Sequence, residues 1–229
     1  MCGRYNVIDD PTVHELCRQV GIDTSNWQIR FNDDIVPTSI ISIIREDEQQ
    51  RRIDDAIWWL LLERTDIGWK PNSRYATFNT RYDKLNSPRS VGYKPFRESR
   101  CIIPASGFVE GLEGTKSYYL LEAAEQAIAF GGLYRTWVHD ATGEMVHSAS
   151  IITLTPHPKF KGIHEKAFPM MLDASNQELV DQWLSPHMQD VSVFEDLLKP
   201  NLVAPLRATP IDRPSKKNPT GEVFAIAAD

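Results

Sequence analysis

The most direct chemistry in this sequence is that of a cysteine at the second position. Cys2 follows the initiator methionine and precedes Gly3, and an initiator methionine before a small residue is commonly removed in cells. Its removal would leave a thiol and a free α-amine on the same residue. An α-amine titrates near pH ~8 and a thiol near ~8.5, so both are partly available as nucleophiles at neutral pH, whereas a lysine amine titrates near ~10.4.

A terminal 1,2-aminothiol reacts with two classes of electrophile. With an aldehyde, the amine condenses to a Schiff base and the thiol then closes a five-membered thiazolidine ring. With an acyl group, the residue acts as an N-terminal nucleophile, as in a class of hydrolases. The alternative is that Cys2 is the second residue of an unprocessed chain with no chemical role, and Cys2 taken by itself leaves these possibilities open.

Five short segments occur in an order that adds to the meaning of Cys2. They are Met1-Cys2-Gly3-Arg4-Tyr5, Val36-Pro37-Thr38, Phe78-Asn79-Thr80-Arg81, Cys101 to Glu110 (CIIPASGFVE), and Ile163-His164. Together these segments resemble the SRAP family, the SOS-response-associated peptidases, over nearly the whole chain. The Cys-Gly-Arg start and the strand and turn from Cys101 to Glu110 are the most specific parts of the resemblance.

The resemblance implies a DNA damage response protein that senses abasic sites in single-stranded DNA. The ring-opened sugar exposes an aldehyde, and Cys2 would capture it as a stable thiazolidine DNA–protein crosslink. Asn79 would position the Cys2 backbone and the sugar, because its amide both donates and accepts. Glu110 would act as a general acid and base near the amine. His164 would assist ring opening and proton transfer, because imidazole titrates near neutral pH.

The same resemblance implies four residues that contact DNA. Arg4 and Arg81 would clamp phosphates in charge-assisted contacts. Trp69 would stack on a base, and Pro37 would lie at the wedge that distorts the strand.

Three departures from the family pattern predict a divergent member. Gly111 follows Glu110 where the family usually has an aromatic residue, and the segment after His164 has one inserted residue and Lys166 in place of an arginine. Lysine does not reproduce a bidentate guanidinium contact. Asp33 and Asp34 place two acidic groups just before Pro37, which is expected to weaken phosphate binding in the DNA cleft.

Two other functions compete with abasic-site capture. The first is a thiol peptidase that processes its own N-terminus with Cys2, His164 and Glu110. If the protein made in a cell without methionine aminopeptidase retained Met1, this would argue against self-cleavage. The second is a non-catalytic module that binds single-stranded DNA or protein, which would bind intact strands in a salt-dependent way without forming a crosslink.

The charge distribution is uneven along the chain. The 229 residues carry a net charge of −6, yet residues 64–100 contain nine Lys and Arg against three acids, a net +6 that leaves −12 for the rest. Such a segment is either a polyanion-binding face or a solvated surface. Five aromatic residues interleave with these charges, as base stacking would require, although aromatic residues more often belong to a core: Tyr75, Phe78, Tyr82, Tyr93 and Phe96.

Several classes of protein are not supported by the sequence. The longest apolar run, Ile57–Leu62, is far shorter than the ~20 residues that cross a bilayer, and the N-terminus lacks a secretory layout. The three cysteines form neither a disulfide framework nor a zinc pair, and no His-x-x-His spacing occurs. We therefore expect a cytoplasmic monomer, on the nucleoid when bound to damaged DNA, with no metal, no cofactor and no membrane contact, and with His157 and His187 at its surface.

The elements that must position these residues predict an α+β fold in one domain over residues 1–229. We expect a mostly antiparallel, partly closed, barrel-like sheet with a few flanking helices. One helix begins at the Asp10 cap with Pro11 and ends at Gly21, a second begins at a capping box of Ser175 and Glu178, and a third covers 192–198. The predicted strands are 39–44, 53–62, 100–103, 117–121, 127–133 and 148–154, with a turn over 140–143.

Overall fold

A computed structural model describes residues 2–23, 25, 28–47 and 50–229 of the chain. Within these residues lie the helices α1 (Pro11–Gln19), α2 (Tyr93–Glu98) and α3 (Gln177–Leu184). The strands in the same part of the chain are β1 (Tyr5–Val7), β2 (Asn32–Ile35), β3 (Ile40–Glu46), β4 (Arg51–Ile57), β5 (Leu62–Arg64), β6 (Trp69–Pro71), β7 (Asn79–Arg81), β8 (Arg100–Ala105), β9 (Gly107–Gly111), β10 (Tyr118–Ala123), β11 (Ile128–Val138), β12 (Met145–Leu154), β13 (Phe168–Pro169), β14 (Met171–Leu172), β15 (Leu206–Ile211) and β16 (Phe224–Ile226).

Five strands close into a mixed barrel. They follow the order β12-β4-β3-β8-β11, and β11 pairs back with β12. The β4–β12 pair is parallel and the other four pairs are antiparallel. Closure leaves no free edge within this ring. Strand β7 lies outside the ring and runs parallel to β12.

A six-stranded antiparallel sheet packs against the barrel. Its order is β16-β15-β10-β9-β1-β2. Edge-to-face aromatic contacts join the two sheets: Phe108 of β9 meets Phe130 of β11 with ring centroids 5.7 Å apart, and Tyr5 of β1 meets Trp58 at 5.0 Å. These rings are all buried, and their burial is a main source of stability for the packing of the two sheets. The prediction of an α+β fold with a mostly antiparallel, barrel-like sheet is confirmed.

Two helices follow their sequence signals. Asp10 caps α1 by accepting from the amides of Thr12 and Val13, and Gly21 follows with φ of 78°, a conformation that glycine adopts without strain. For α3, the capping residue is Asn176, not Ser175, because its side chain accepts from Leu179 N. The hydroxyl of Ser175 instead donates to Asp173.

Two predicted elements differ from the structure. The strand predicted over 53–62 ends at Ile57, since Trp58 and Leu60 donate their amides to Ser39 O and Thr77 O; a continuous apolar run does not show where a chain leaves a sheet. The helix predicted over 192–198 is two 3₁₀ turns, Val191–Phe194 and Asp196–Leu198.

Of the two histidines predicted to lie at the surface, one is exposed and the other is buried. His187 is exposed as expected, but His157 is buried because its ring packs against Phe160 and Phe168. The ring donates a 2.7 Å hydrogen bond to Asp229. Among the helices of the described residues, none is both long and apolar enough to cross a bilayer.

Candidate functional site

Strand pairing brings the start of the chain beside Glu110. In the antiparallel β1–β9 pair, Tyr5 faces Phe108, and Val109 N donates to Arg4 O at 2.9 Å. Because the two strands are antiparallel, the residues that precede β1 run alongside the end of β9, where Glu110 lies. Cys2 is consequently buried, with 1% of its surface exposed.

Asn79 holds the Cys2 backbone. It is the first residue of β7 and lies opposite Ile151 of β12. Its Nδ2 donates a 2.8 Å hydrogen bond to Cys2 O. Its Oδ1 is buried and has no hydrogen-bond partner among the residues that the structure describes, so the amide has one free acceptor at the site.

Glu110 is a buried carboxyl next to Cys2. It is 5% exposed, and burial raises its pKa from 4.5 to about 7, because the charged form loses solvation. Its Oε1 is buried without a hydrogen-bond partner in the described part of the chain. Glu110 is therefore close to half protonated at neutral pH and has an unused oxygen, which is what a group that both gives and takes a proton needs.

His164 completes the group from the other side. Its loop follows a 3₁₀ turn, Pro158–Phe160, and is held by the hydrogen bond from His164 N to Phe160 O at 2.9 Å. Nδ1 lies 3.0 Å from Gly111 O and 3.3 Å from Glu110 Oε2. A carbonyl only accepts, so Nδ1 carries the proton and Nε2 is the acceptor. Burial lowers the pKa of His164, which keeps the ring neutral at pH 7.

The thiol of Cys2 is held in its protonated form. Burial, followed by the charge of Glu110, raises its pKa well above the ordinary value. A thiol in this state is a weak nucleophile until a base takes its proton. All four residues predicted to be catalytic thus lie together, with two buried acceptor oxygens, Asn79 Oδ1 and Glu110 Oε1, that no described residue satisfies.

The structure gives physical reasons for two of the departures from the family pattern. The ring of Tyr118 lies over Gly111: a Cβ at position 111 would come 2.7 Å from Tyr118 Cδ1 and 3.1 Å from Ser117 O. An aromatic side chain from the neighbouring strand β10 thus covers the residue after Glu110. Lys166 forms an ion pair with Glu113.

Arg4 is already engaged by an acid. Its Nη1 lies 2.6 Å and 2.7 Å from the two carboxylate oxygens of Asp34. Lys217 Nζ lies 3.8 Å from the same carboxylate and donates to Asp33 O. The carboxylate of Asp34 is therefore neutralised in part by these two cations, and it occupies the guanidinium predicted to clamp a phosphate.

A basic cleft opens next to Asn79. It has a volume of about 630 Å³, and Arg81, at the end of β7, lines it together with Asn79 and Tyr75. Arg81 is exposed and pairs with Asp83 at 2.9 Å, and it also lines a second cleft of about 490 Å³.

The basic cleft contains cations that sequence reasoning counted but did not assign. Arg74, Lys84 and Arg89 line it, and none of these three side chains forms an ion pair with a described residue; we call them the cleft cations. Elsewhere in the basic segment, Arg64 pairs with Asp140, and Arg100 is buried and donates to backbone carbonyls. The charge excess of residues 64–100 could have located this basic surface. It could not show which of the cations form ion pairs in the folded chain.

The other two residues predicted to contact DNA, Trp69 and Pro37, lie outside the groups described so far. The ring of Trp69 is half-buried and lies 5.0 Å from that of Trp137, so its role in base stacking stays a prediction. Pro37 lies in a turn closed by the hydrogen bond from Ser39 N to Val36 O, in which Thr38 has φ of 78°. A left-handed β-branched residue is uncommon.

Across the residues the structure covers, no three His, Cys, Asp or Glu side chains come together as metal ligands.

Comparison with known proteins gives the same family as the motifs. The model of the family described as SOS response associated peptidase (SRAP) matches residues 1–216. The chain is 27% identical over 210 residues to the abasic site processing protein YoqW of Bacillus subtilis (strain 168), covering 87% of each chain. It is 26% identical over 211 residues to YobE of the same organism, an abasic site processing protein, covering 87% of this chain and 89% of YobE.

A solved structure shows the same fold. The crystal structure of a protein from Bacteroides thetaiotaomicron matches 90% of this chain and 91% of its own, with a TM-score of 0.66 and 21% identity.

Proposed function

The chain belongs to the SRAP family, and we propose that it captures abasic sites in single-stranded DNA as a covalent thiazolidine crosslink through Cys2. Similar proteins named for abasic site processing support DNA with abasic sites as the substrate. The proposal requires that Met1 is removed, so that the α-amine belongs to Cys2.

One observation carries the proposal: the buried aminothiol position is surrounded by groups whose hydrogen-bonding capacity is unused. Asn79 ties down the Cys2 carbonyl, while Asn79 Oδ1 and Glu110 Oε1 have no partners among the described residues. A buried acceptor left unsatisfied costs about 1–3 kcal/mol. The donors supplied by an α-amine and by the hydroxyls of an opened sugar fit these two oxygens.

In the first step the amine attacks the aldehyde carbon of the opened sugar. The nitrogen–carbon bond forms, the carbonyl π electrons move to oxygen, and the ammonium proton passes to the Glu110 carboxylate. Glu110 returns this proton to the alkoxide oxygen, which gives the neutral carbinolamine. Glu110, protonated again from solvent, then protonates the hydroxyl, which leaves as water while the nitrogen lone pair forms the carbon–nitrogen π bond. The Glu110 carboxylate takes the remaining N–H proton, and an imine results. A pKa of about 7 for Glu110 suits both transfers, because the carboxyl is populated in both forms at neutral pH.

In the second step the thiol closes the ring. The sulfur–carbon bond forms at the imine carbon, the imine π electrons move to nitrogen, and the thiol proton is transferred there through His164 Nε2 or Glu110. The sum is aldehyde plus aminothiol giving thiazolidine plus water, with no oxidant or reductant. The raised pKa of the Cys2 thiol favours this order, because the protonated thiol is the slower nucleophile for the aldehyde.

The basic cleft favours a single strand as the partner. The cleft cations and Arg81 offer positive charge beside Asn79, and a phosphate backbone supplies the matching negative charge. A single strand also allows the damaged sugar to turn inward without unpairing a duplex.

The same features disfavour a thiol peptidase as the main activity. A cysteine peptidase needs a thiolate, stabilised by a neighbouring cation. In this site burial and the carboxylate of Glu110 raise the thiol pKa, and burial keeps His164 neutral. The amine route needs no thiolate in its first step.

The test is a crosslinking assay with the purified protein after Met1 removal is verified by intact mass. The protein is incubated with a single-stranded oligonucleotide from which uracil has been excised, and products are separated by denaturing electrophoresis. We expect a product that survives without reductant in the wild type. Cys2→Ala should form only an imine, seen after borohydride reduction and lost without it.

Two controls make the result specific. Cys17→Ala changes another buried cysteine, on the core-facing side of α1, and should crosslink as the wild type does. A chain with an uncleaved N-terminal tag should form no stable product. Equal crosslinking by the tagged chain or by Cys2→Ala would refute the aminothiol mechanism.

A further inference from the structure

Five aromatic residues interleave with the basic segment, and four of them are committed to packing. Phe78 lies 5.8 Å from the Trp58 ring, Tyr93 lies 3.8 Å below the Arg97 guanidinium, and Phe96 is fully buried. Tyr82 is partly buried against the core. Tyr75 differs from these four because 60% of its surface is exposed, and its ring meets no other aromatic ring in the described part of the chain.

The loop that presents Tyr75 is held at both ends. Asn72 donates to Leu61 O at 3.0 Å and accepts from Trp59 Nε1 at 3.1 Å, and its side chain accepts from Arg74 N at 3.0 Å. Beyond Tyr75, Thr77 accepts from the amides of Leu60 and Leu61. An exposed ring on an anchored loop loses little conformational entropy when a ligand binds.

Tyr75 also lies where a DNA strand would pass. It lines the basic cleft with Asn79 and the cleft cations, and Asn79 is four residues further along the chain and bonded to Cys2. An exposed aromatic ring placed among cations that form no ion pair with a described residue is the combination by which proteins hold single-stranded nucleic acid, with phosphates on the cations and a base on the ring.

We propose that Tyr75 stacks on the base of a nucleotide adjacent to the abasic sugar and thereby selects lesions that keep a base on that side. This inference rests on the proposed function, because it takes the abasic sugar to lie at Cys2. The ring supplies a flat surface for any base, so the contact selects for the presence of a neighbouring base and not for its identity. A run of two abasic sites would lose the contact.

The experiment measures non-covalent affinity, so that it does not depend on the chemistry of Cys2. The probes are single-stranded oligonucleotides with a tetrahydrofuran residue, an abasic analogue without an aldehyde. One probe has bases on both sides, and in two others the 5′ or the 3′ neighbour is also tetrahydrofuran. Wild type, Tyr75→Ala and Tyr75→Phe are titrated by fluorescence anisotropy, and Phe31→Ala, which removes a 40% exposed ring outside the cleft, is the matched control.

We expect Tyr75→Ala to bind the fully flanked probe about 5- to 150-fold more weakly, the range of one base–aromatic stack. On one of the two probes that lack a neighbouring base, the wild type and Tyr75→Ala should bind equally. Tyr75→Phe and Phe31→Ala should bind as the wild type does, and thermal unfolding should show that all variants fold.

An equal loss on all three probes, or no loss on any, overturns the proposal. Its failure is separable from failure of the proposed function: the wild type would then still crosslink aldehyde-bearing DNA through Cys2. If instead the wild type forms no crosslink, covalent capture fails whatever the tetrahydrofuran affinities are.

Discussion

Replacing Glu110 by glutamine tests the site most sharply, because it should change activity and stability in opposite directions. Glutamine has nearly the same shape as glutamic acid but neither takes nor gives a proton. General acid–base catalysis contributes about 10²–10⁴-fold to a rate, so we expect Glu110→Gln to slow crosslink formation by at least ~10²-fold. The fold should be retained.

The stability effect follows from the pKa of Glu110. Its folded pKa is about 7 and its ordinary value is 4.5, so the folded state binds the proton more tightly than the unfolded state. The free energy of unfolding therefore falls as pH rises from 4.5 to 7 and is lowest above pH 7. The difference corresponds to about 3 kcal/mol. Glu110→Gln should thus raise stability at pH 8 by up to that amount, or roughly 6–12 °C in Tm at most.

Single-turnover crosslinking with excess protein measures the rate from pH 5.5 to 8.5. In the wild type both the amine and Glu110 must lose protons, so below pH 7 a plot of log rate against pH should have a slope of about 2. In Glu110→Gln only the amine must lose a proton, so the slope should be about 1. Thermal unfolding at pH 5 and pH 8 measures stability. The increase in Tm should be present at pH 8 and small at pH 5.

Either of two results would refute this reasoning. A Glu110→Gln chain that crosslinks at the wild-type rate with the wild-type pH profile has no acid–base role at position 110. A chain that is slow and also less stable at pH 8 has lost its site through misfolding, and the buried carboxylate then does not carry the cost assigned to it.

Three further predictions concern the remaining parts of the site. His164→Asn keeps a donor facing the carbonyl of Gly111 but removes the Nε2 acceptor, so crosslinking should slow by about 10²-fold with little change in Tm; an unchanged rate contradicts its role. Replacing the three cleft cations together by serine should reduce the slope of log affinity for a single strand against log salt concentration by about 2. Lys94→Ser removes a lysine that is already paired with an acid and should leave this slope unchanged. Asp34→Asn should free Arg4 for phosphate and raise affinity for single-stranded DNA up to about fivefold, and weaker binding in the same titration would show that Asp34 orients Arg4 instead.

Local signals predicted much of the scaffold. The Asp10 cap and Gly21 bounded α1 correctly, since capping acts within one helical turn. Strands rich in β-branched residues were found at β3, β8, β11 and β12. Signals failed where the outcome depends on distant partners: the apolar run 53–62 leaves the sheet at Ile57 because Ser39 and Thr77 bind its next amides.

The order of motifs also predicted which polar residues meet. Cys2, Asn79, Glu110 and His164 are far apart along the chain, and the resemblance to a family brought them into one hypothesis. Which contacts they make was not available from that pattern. The bond from Asn79 to the Cys2 carbonyl follows from the pairing of β7 with β12 and of β1 with β9. The contact of His164 with Gly111 depends on the loop that follows the 3₁₀ turn Pro158–Phe160.

The sequence by itself determined the reactive groups: a thiol that gains an α-amine by the loss of one residue, and a carboxyl, an amide and an imidazole able to move protons. The tertiary structure decided their state. Burial raises the pKa of Glu110 and of the Cys2 thiol. An ion pair across the fold engages Arg4, while the cleft cations form no ion pair with a described residue. The physical reason is that solvation and ion pairing depend on which groups surround an atom in space, and residues close in space here are mostly distant in sequence.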